Sequence, residues 1–231
     1  MAADEDRHSK AEEVELITDP GEKARQEARN GLRQFDEAIE QIAYWLQPDR
    51  PFRFRISSIL SLHRKALEGI SPYAGVFRPV PVKIGGSKHT PPEPHLVPEH
   101  VERMCDYVNE NWETGSPLHL AAYTLWRMNW IHPFIDGNGR TARTVSYVVL
   151  CVRLRSALPG TDTIPEQIAK DKSPYYKALE AADKSDEAGK VDLSEMEGLL
   201  ESLLANQLLS VFAAARGGSK TAGGPTFSSC S

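Results

Sequence analysis

His132-Pro-Phe-Ile-Asp-Gly-Asn-Gly-Arg-Thr-Ala-Arg143 lies between two apolar segments, Leu118–Ile131 (LHLAAYTLWRMNWI) and Thr141–Leu154 (TARTVSYVVLCVRL). Neither segment has an internal Gly or Pro, and both are too long for an ordinary strand, so each reads as a largely buried helix. Pro133 ends the first, because the residue before a proline is pushed out of the helical region. His132 therefore falls at a helix exit, and Gly137-Asn138-Gly139 leads into the N-terminus of the next helix. Such an end carries unpaired backbone N–H groups and a partial positive charge, which together receive an anion. Glycine lets the backbone approach a phosphate with no Cβ in the way.

Arg140 and Arg143 are three apart and share a face in the first turn. Cations are unfavourable at that end of a helix dipole, so two of them there imply an anion among them, gripped by guanidinium forks. Asp136 can hold Mg²⁺, which binds through one or two carboxylates plus substrate phosphates. His132 has the one ordinary side-chain pKa suited to a general base near neutrality. Each residue alone has a plain structural explanation; together in twelve positions they describe a hydroxyl deprotonated by His132 and a phosphoryl centre held by the loop.

Outward from this stretch the pattern is helical. Glu22–Leu46 carries Leu32, Phe35, Ile39 and Ile42 at spacings of three and four, an apolar stripe. Phe54–Leu67 follows, with Ile56, Ile59, Leu60 and Leu67 as its core face. A helix opens at Pro98 or Glu99 and ends near Gly115; short helices span residues 164–170 and 174–182; a last amphipathic helix spans 193–215. The one strand-like run is Val80–His89, in which Val80, Val82 and Ile84 alternate and Gly85-Gly86 signals a hairpin turn. Pro81 confines it to an edge, where an extended partner chain can add by main-chain hydrogen bonds. His89, His95 and His100 are separated by prolines and read as surface residues, not as a zinc site.

The chain of 231 residues fits one domain at about 21–215, with its core at about 54–182, an acidic mobile N-terminus (1–20) and a Gly/Ser-rich disordered tail (216–231). The net charge is −5 and no Lys/Arg run occurs, so nucleic acid and membrane surfaces are not expected partners. No segment reads as membrane-spanning or as a signal peptide. Cys105, Cys151 and Cys230 make no disulfide framework, and the first two read as reduced core residues, which suits a cytoplasmic location.

The stretch at His132 resembles the signature of the Fic family, His-x-Phe-x-(Asp/Glu)-Gly-Asn-Gly-Arg-x-x-Arg, at every fixed position. The resemblance extends over about Ala28–Leu209: Arg64–Arg78 is similar to the segment preceding the family's flap, and Tyr175-Tyr176 with Ala178-Leu179 to its nucleotide-pocket helix. It implies a compact all-α bundle with a small β-hairpin flap that transfers AMP from ATP to a Ser, Thr or Tyr hydroxyl of a target protein. His132 would be the base, Asp136 the Mg²⁺ ligand, and Gly137, Asn138 and Gly139 the anion hole. Arg140 would bind the β- and γ-phosphates and Arg143 the γ-phosphate, while Phe134 anchors the loop inward. Tyr175 or Tyr176 would frame the nucleoside, with Asp183 near the base edge. Val82, Lys83, Ile84 and Gly85 would dock the target segment by β-augmentation.

The same fold could use another donor, remove AMP, or serve as a silent nucleotide- or peptide-binding module; a Doc-type kinase is disfavoured, since Doc-like signatures carry Lys where this chain has Gly139. The family's inhibitory motif, (Ser/Thr)-x-x-x-Glu-(Gly/Asn), has no good match. Asp36–Gln41 departs at both flanking positions, and Glu197-Gly198 lacks the hydroxyl residue, with Leu at 193. Inhibition is then supplied by a separate partner protein, degenerate or absent.

Overall fold

A computed structural model of the protein describes residues 9–10 and 16–217. Eight α-helices occur among them: α1 (Pro20–Trp45), α2 (Ile56–Leu67), α3 (Val97–Glu110), α4 (Pro117–Ile131), α5 (Asn138–Arg153), α6 (Ile164–Lys170), α7 (Ser173–Glu187) and α8 (Ser194–Gly217). The two short strands are β1 (Ser9–Lys10) and β2 (Lys83–Ile84). The all-α class expected from the sequence is the class observed. Expectations for residues 1–8, 11–15 and 218–231, Cys230 included, fall outside the described residues.

Helix starts follow local chemistry. Asp19 Oδ1 accepts the Glu22 N–H at 2.7 Å ahead of Pro20, and Ser116 Oγ accepts the His119 N–H at 3.0 Å ahead of Pro117. Both are side-chain N-caps followed by a proline whose missing N–H costs nothing there. The centre of the bundle is α4 against α5, each buried along most of its length. Helices α1 and α2 pack on α5, and α8 packs on α4 and α7. Trp126, Tyr147, Phe134, Leu125 and Met128 are among the fully enclosed side chains. Cys105 and Cys151 are buried and free, and burial pushes their thiols up to about 12 and about 11.

Helix α1 turns inward a face shifted from its apolar stripe: Ile42 is buried and Phe35 packs on the core, but Leu32 and Ile39 stay exposed. Leu32 is 71% exposed, whereas Asn30 and Gln34 are buried with Ala38 and Ile42. The reason is polar: Asn30 Nδ2 donates to the carbonyls of Ala66 and Glu68, and Gln34 Nε2 to that of Leu62. These amides satisfy carbonyls along and just past α2, and buried acceptors left unpaired are expensive.

The hairpin expected at 80–89 does not form. A turn is present, with Gly86 at φ 66°, but the strand after it is missing. β2 pairs antiparallel with β1 instead, Ser9 opposite Ile84 and Lys10 opposite Lys83. The chain beyond the turn is drawn aside because the His89 ring nitrogen Nε2 lies 2.7 Å from the Trp130 carbonyl at the end of α4. His89 is therefore half-buried and anchored, not a plain surface residue, and His100 packs edge-on against the same indole. His95 is exposed as expected.

Candidate active site

Helix α4 ends at His132, which takes the left-handed conformation (φ 51°, ψ 60°) and turns the chain into the loop. That conformation is uncommon outside glycine, and Arg78 holds it. The Arg78 side chain is 2% exposed; Nε donates to the His132 carbonyl at 2.8 Å and Nη1 to Val80 at 3.2 Å, while Nη2 donates to Pro92 and Ile131. Its backbone N–H also donates to the Pro133 carbonyl at 2.9 Å. One guanidinium thus serves the C-terminal carbonyls of α4 and two carbonyls of the flap segment, as its planar fork permits.

Phe134 is fully buried, and Asn138 closes the loop from below. Its Oδ1 accepts the Phe134 N–H at 2.9 Å and its Nδ2 donates to the Phe134 carbonyl at 2.8 Å. The Asn138 amide is thus committed to the loop's own backbone, so any bond from Asn138 to an anion would have to come from its main-chain N–H. Helix α5 begins at Asn138, three residues earlier than the sequence pattern suggested, with Gly137 as N-cap at φ 74°. Gly137 has no side chain with which to cap, so the first-turn N–H groups are the ones that can receive an anion. It is required twice over, because a Cβ there would lie 2.5 Å from Leu67 Cδ2.

His132 is buried, and its pKa is lowered to about 4, chiefly by desolvation, opposed by a backbone contact at Asn129 and reinforced by the nearby Arg78 and His89. The ordinary value assumed from sequence is thus displaced by burial. The imidazole is neutral across the physiological range, the form in which a base accepts a proton. Nδ1 lies 3.4 Å from the Asn129 carbonyl; a carbonyl can only accept, so Nδ1 carries the proton and Nε2 is the basic atom. Asp136 Oδ1 accepts the Gly137 N–H at 2.7 Å.

These groups line one cleft of about 430 Å³, a size suited to a small-molecule site. His132, Asp136, Gly137, Asn138, Gly139, Arg140 and Arg143 come from the loop and α5; Tyr175 and Tyr176 come from α7; Ile84 comes from the flap. Tyr175 is buried, Tyr176 half-buried, and their rings lie 5.6 Å apart. Val82 is buried, and Lys83 and Gly85 do not line the cleft. Asp183 lines it while accepting from Trp126 Nε1 at 2.8 Å, which ties α7 to α4.

The sequence pattern missed Lys23 and Glu27 of α1, Asn129, and Lys172 at the start of α7, all of which line the cleft. Nothing in their local sequence marks them: packing of α1 and α7 brings Lys23, Glu27 and Lys172 to the loop, while Asn129 sits in the last turn of α4 just before His132. Glu197, weighed as an inhibitory carboxylate, is spent elsewhere: it lies 2.7 Å from His119 Nδ1, whose other nitrogen meets Tyr107.

The sequence profile of the Fic/DOC family matches residues 53–150, from α2 through most of α5. The chain carries a Fic/DOC domain. It is similar to the protein adenylyltransferase Fic of Drosophila willistoni, 36% identical over 133 residues, or 57% of this chain and 25% of that one. The corresponding protein of Drosophila persimilis is 37% identical over the same length, 24% of that chain. The chain thus spans about a quarter of the length of these curated relatives. Among solved structures, Fic-1 from C. elegans superposes with a TM-score of 0.61 at 25% identity, covering 86% of this chain and 54% of that one. A Fic family protein from Desulfovibrio desulfuricans gives 0.62 at 19% identity, covering 86% and 56%, a likeness of fold alone. The Fic/DOC match ends within α5, so it includes the His132 loop but not Tyr175 and Tyr176. No helix among the described residues is long and apolar enough to cross a membrane.

Proposed function

We propose that the protein is an adenylyltransferase that moves AMP from ATP to a Ser, Thr or Tyr hydroxyl of a target protein. The observation that carries this reading is the shared cleft: a neutral buried imidazole, an uncapped helix start and two arginines face one volume with two tyrosines. A nucleoside triphosphate has the matching chemistry, with an aromatic base for the tyrosines and phosphates for the N–H groups and guanidinium forks. The curated relatives bearing the adenylyltransferase name support the same activity.

In this reading His132 Nε2 accepts the proton of the target hydroxyl. The oxygen attacks the α-phosphorus, the bond from that phosphorus to the bridging oxygen breaks, and pyrophosphate leaves. Arg140 and Arg143 offset the charge that collects on the departing phosphates, and the first-turn N–H groups of α5 hold the oxygens of the reacting centre. Asp136 would hold Mg²⁺. No group of three or more His, Cys, Asp or Glu gathers among the described residues, so one carboxylate with substrate phosphates would complete the ion's shell, as is common for Mg²⁺. That ion would neutralise phosphate charge when bound. The target's extended segment would pair with Lys83–Ile84 in exchange for β1.

Incubation with ATP labelled at the α- or the γ-phosphate, with and without a cell lysate, tests the reading. Protein-bound label from α-labelled ATP alone is the expected result. Label from the γ-position alone would identify a kinase. No label from either, with ATP binding retained, would identify a binding module.

A further inference from the structure

His63 of α2 is 1% exposed and lies outside the signature, yet it touches the loop twice and the turn after α2 once. Its ring stacks on Phe134, with centroids 3.6 Å apart and planes 4° off parallel. Nδ1 accepts the Gly75 N–H at 2.9 Å, and Nε2 lies 3.0 Å from the Asp136 carbonyl. These partners fix the tautomer. A backbone N–H can only donate, so Nδ1 is the acceptor, and the proton sits on Nε2, which donates to Asp136. Protonating Nδ1 would set two donors face to face, and burial acts the same way: the pKa is lowered to about 4, mainly by desolvation.

The Asp136 carbonyl and the Gly137 N–H belong to one peptide unit. Holding its oxygen orients the whole plane, and with it the N–H that donates to Asp136 Oδ1 at 2.7 Å. Leu67, one turn further along α2, closes on the same glycine. We infer that His63 is a positioning residue, and that its Nε2–H sets the 136–137 peptide, and through it the Asp136 carboxylate and the start of α5, for phosphate binding and transfer. The kinetic consequence rests on the AMP-transfer reading; the structural one does not.

The two nitrogens can be tested separately. In His63→Gln the amide reaches the Nε2 position and can still donate to Asp136. In His63→Asn it reaches only the Nδ1 position and keeps the Gly75 contact. Both lose the stack on Phe134. The wild type and both variants are compared by thermal melting, by binding of a fluorescent methylanthraniloyl-ATP with Mg²⁺, and by initial rates of α-label transfer. His63→Asn is expected to lower kcat or nucleotide affinity by roughly ten-fold or more, as the loss of a buried bond would; His63→Gln should stay within roughly three-fold of wild type. Should His63→Asn not fold, His63→Met, which keeps volume and lacks both bonds, takes its place. Equal losses in the two variants, losses that follow the melting temperature alone, or no loss in either would overturn the inference. If the wild type transfers no α-label, the AMP-transfer reading fails by itself, and the ordering of nucleotide affinities decides the role of His63.

Discussion

Gly137→Ala should destabilise the domain through one defined contact. The residue sits at φ 74°, where an L-side chain costs about 1–2 kcal/mol. Its new Cβ would lie 2.5 Å from Leu67 Cδ2, far inside ordinary contact, and overpacking of this kind costs about 1–3 kcal/mol. The sum is about 2–5 kcal/mol, which for a domain of this size lowers Tm by about 4–20 °C. The steric part belongs to the pair and can be isolated. Leu67→Ala alone removes a buried side chain and costs about 2–5 kcal/mol, but in the double variant the overlap is gone. The double variant should therefore be less destabilised than the sum of the singles by about 1–3 kcal/mol, leaving the backbone strain. Urea denaturation followed by circular dichroism on the three variants and the wild type measures this. Additivity within about 0.5 kcal/mol, or a Gly137→Ala Tm within about 2 °C of wild type, would refute the reasoning.

His132→Ala should lower the rate of AMP transfer by about 10²–10⁴-fold, the usual contribution of a general base, with ATP affinity nearly unchanged; retained transfer would sink its assigned role. Arg78→Ala strips the donors from the carbonyls of Ile131, His132, Val80 and Pro92 and should cost about 3–5 kcal/mol in chemical denaturation, several times the roughly 1 kcal/mol of a single net bond. Arg78→Lys should rescue little, because an ammonium is a point donor and not a fork. Folding stability should fall on acidification. His63 and His132 have folded-state values of about 4 against an ordinary 6.5, so the unfolded chain binds more protons between those values. The neutral histidines' contribution is complete above about pH 6.5 and lost as pH falls to about 4, on the order of 3 kcal/mol each; a flat ΔG over that window in urea titrations would contradict the burial argument. Replacing both Ser9 and Lys10 by proline breaks the β1 ladder, so hydrogen exchange should accelerate at whichever of the Lys83 and Ile84 amides faces β1; unchanged exchange at both would show that the pairing protects neither.

The loop at His132 was legible because its parts are neighbours in the chain. A proline stop, a glycine at positive φ and two arginines in one helical turn each follow from local rules, and the glycine and both arginines line one cleft. What gives the loop its shape was not legible. Arg78 and His63 reach it from 54 and 73 residues away, and nothing in their own surroundings says which carbonyl they will meet. The inward face of α1 misled for a related reason: the stripe counted only apolar residues, while Asn30 and Gln34 bury by serving carbonyls of another helix. The flap misled because Gly85-Gly86 does turn the chain, but a turn does not guarantee a returning strand when an imidazole further on is tethered to α4.

The pairing of Ser9–Lys10 with Lys83–Ile84 alters the thermodynamics of anything else that uses that edge. An incoming extended chain meets an exchange reaction, in which each main-chain bond it makes replaces one already made. The resident strand is covalently tethered, so it competes at an effective concentration of about millimolar, however dilute the protein. Recognition by backbone bonding alone then nets to nearly nothing. A visitor must gain its advantage from side chains, and selectivity rises because the affinity common to every peptide has been subtracted.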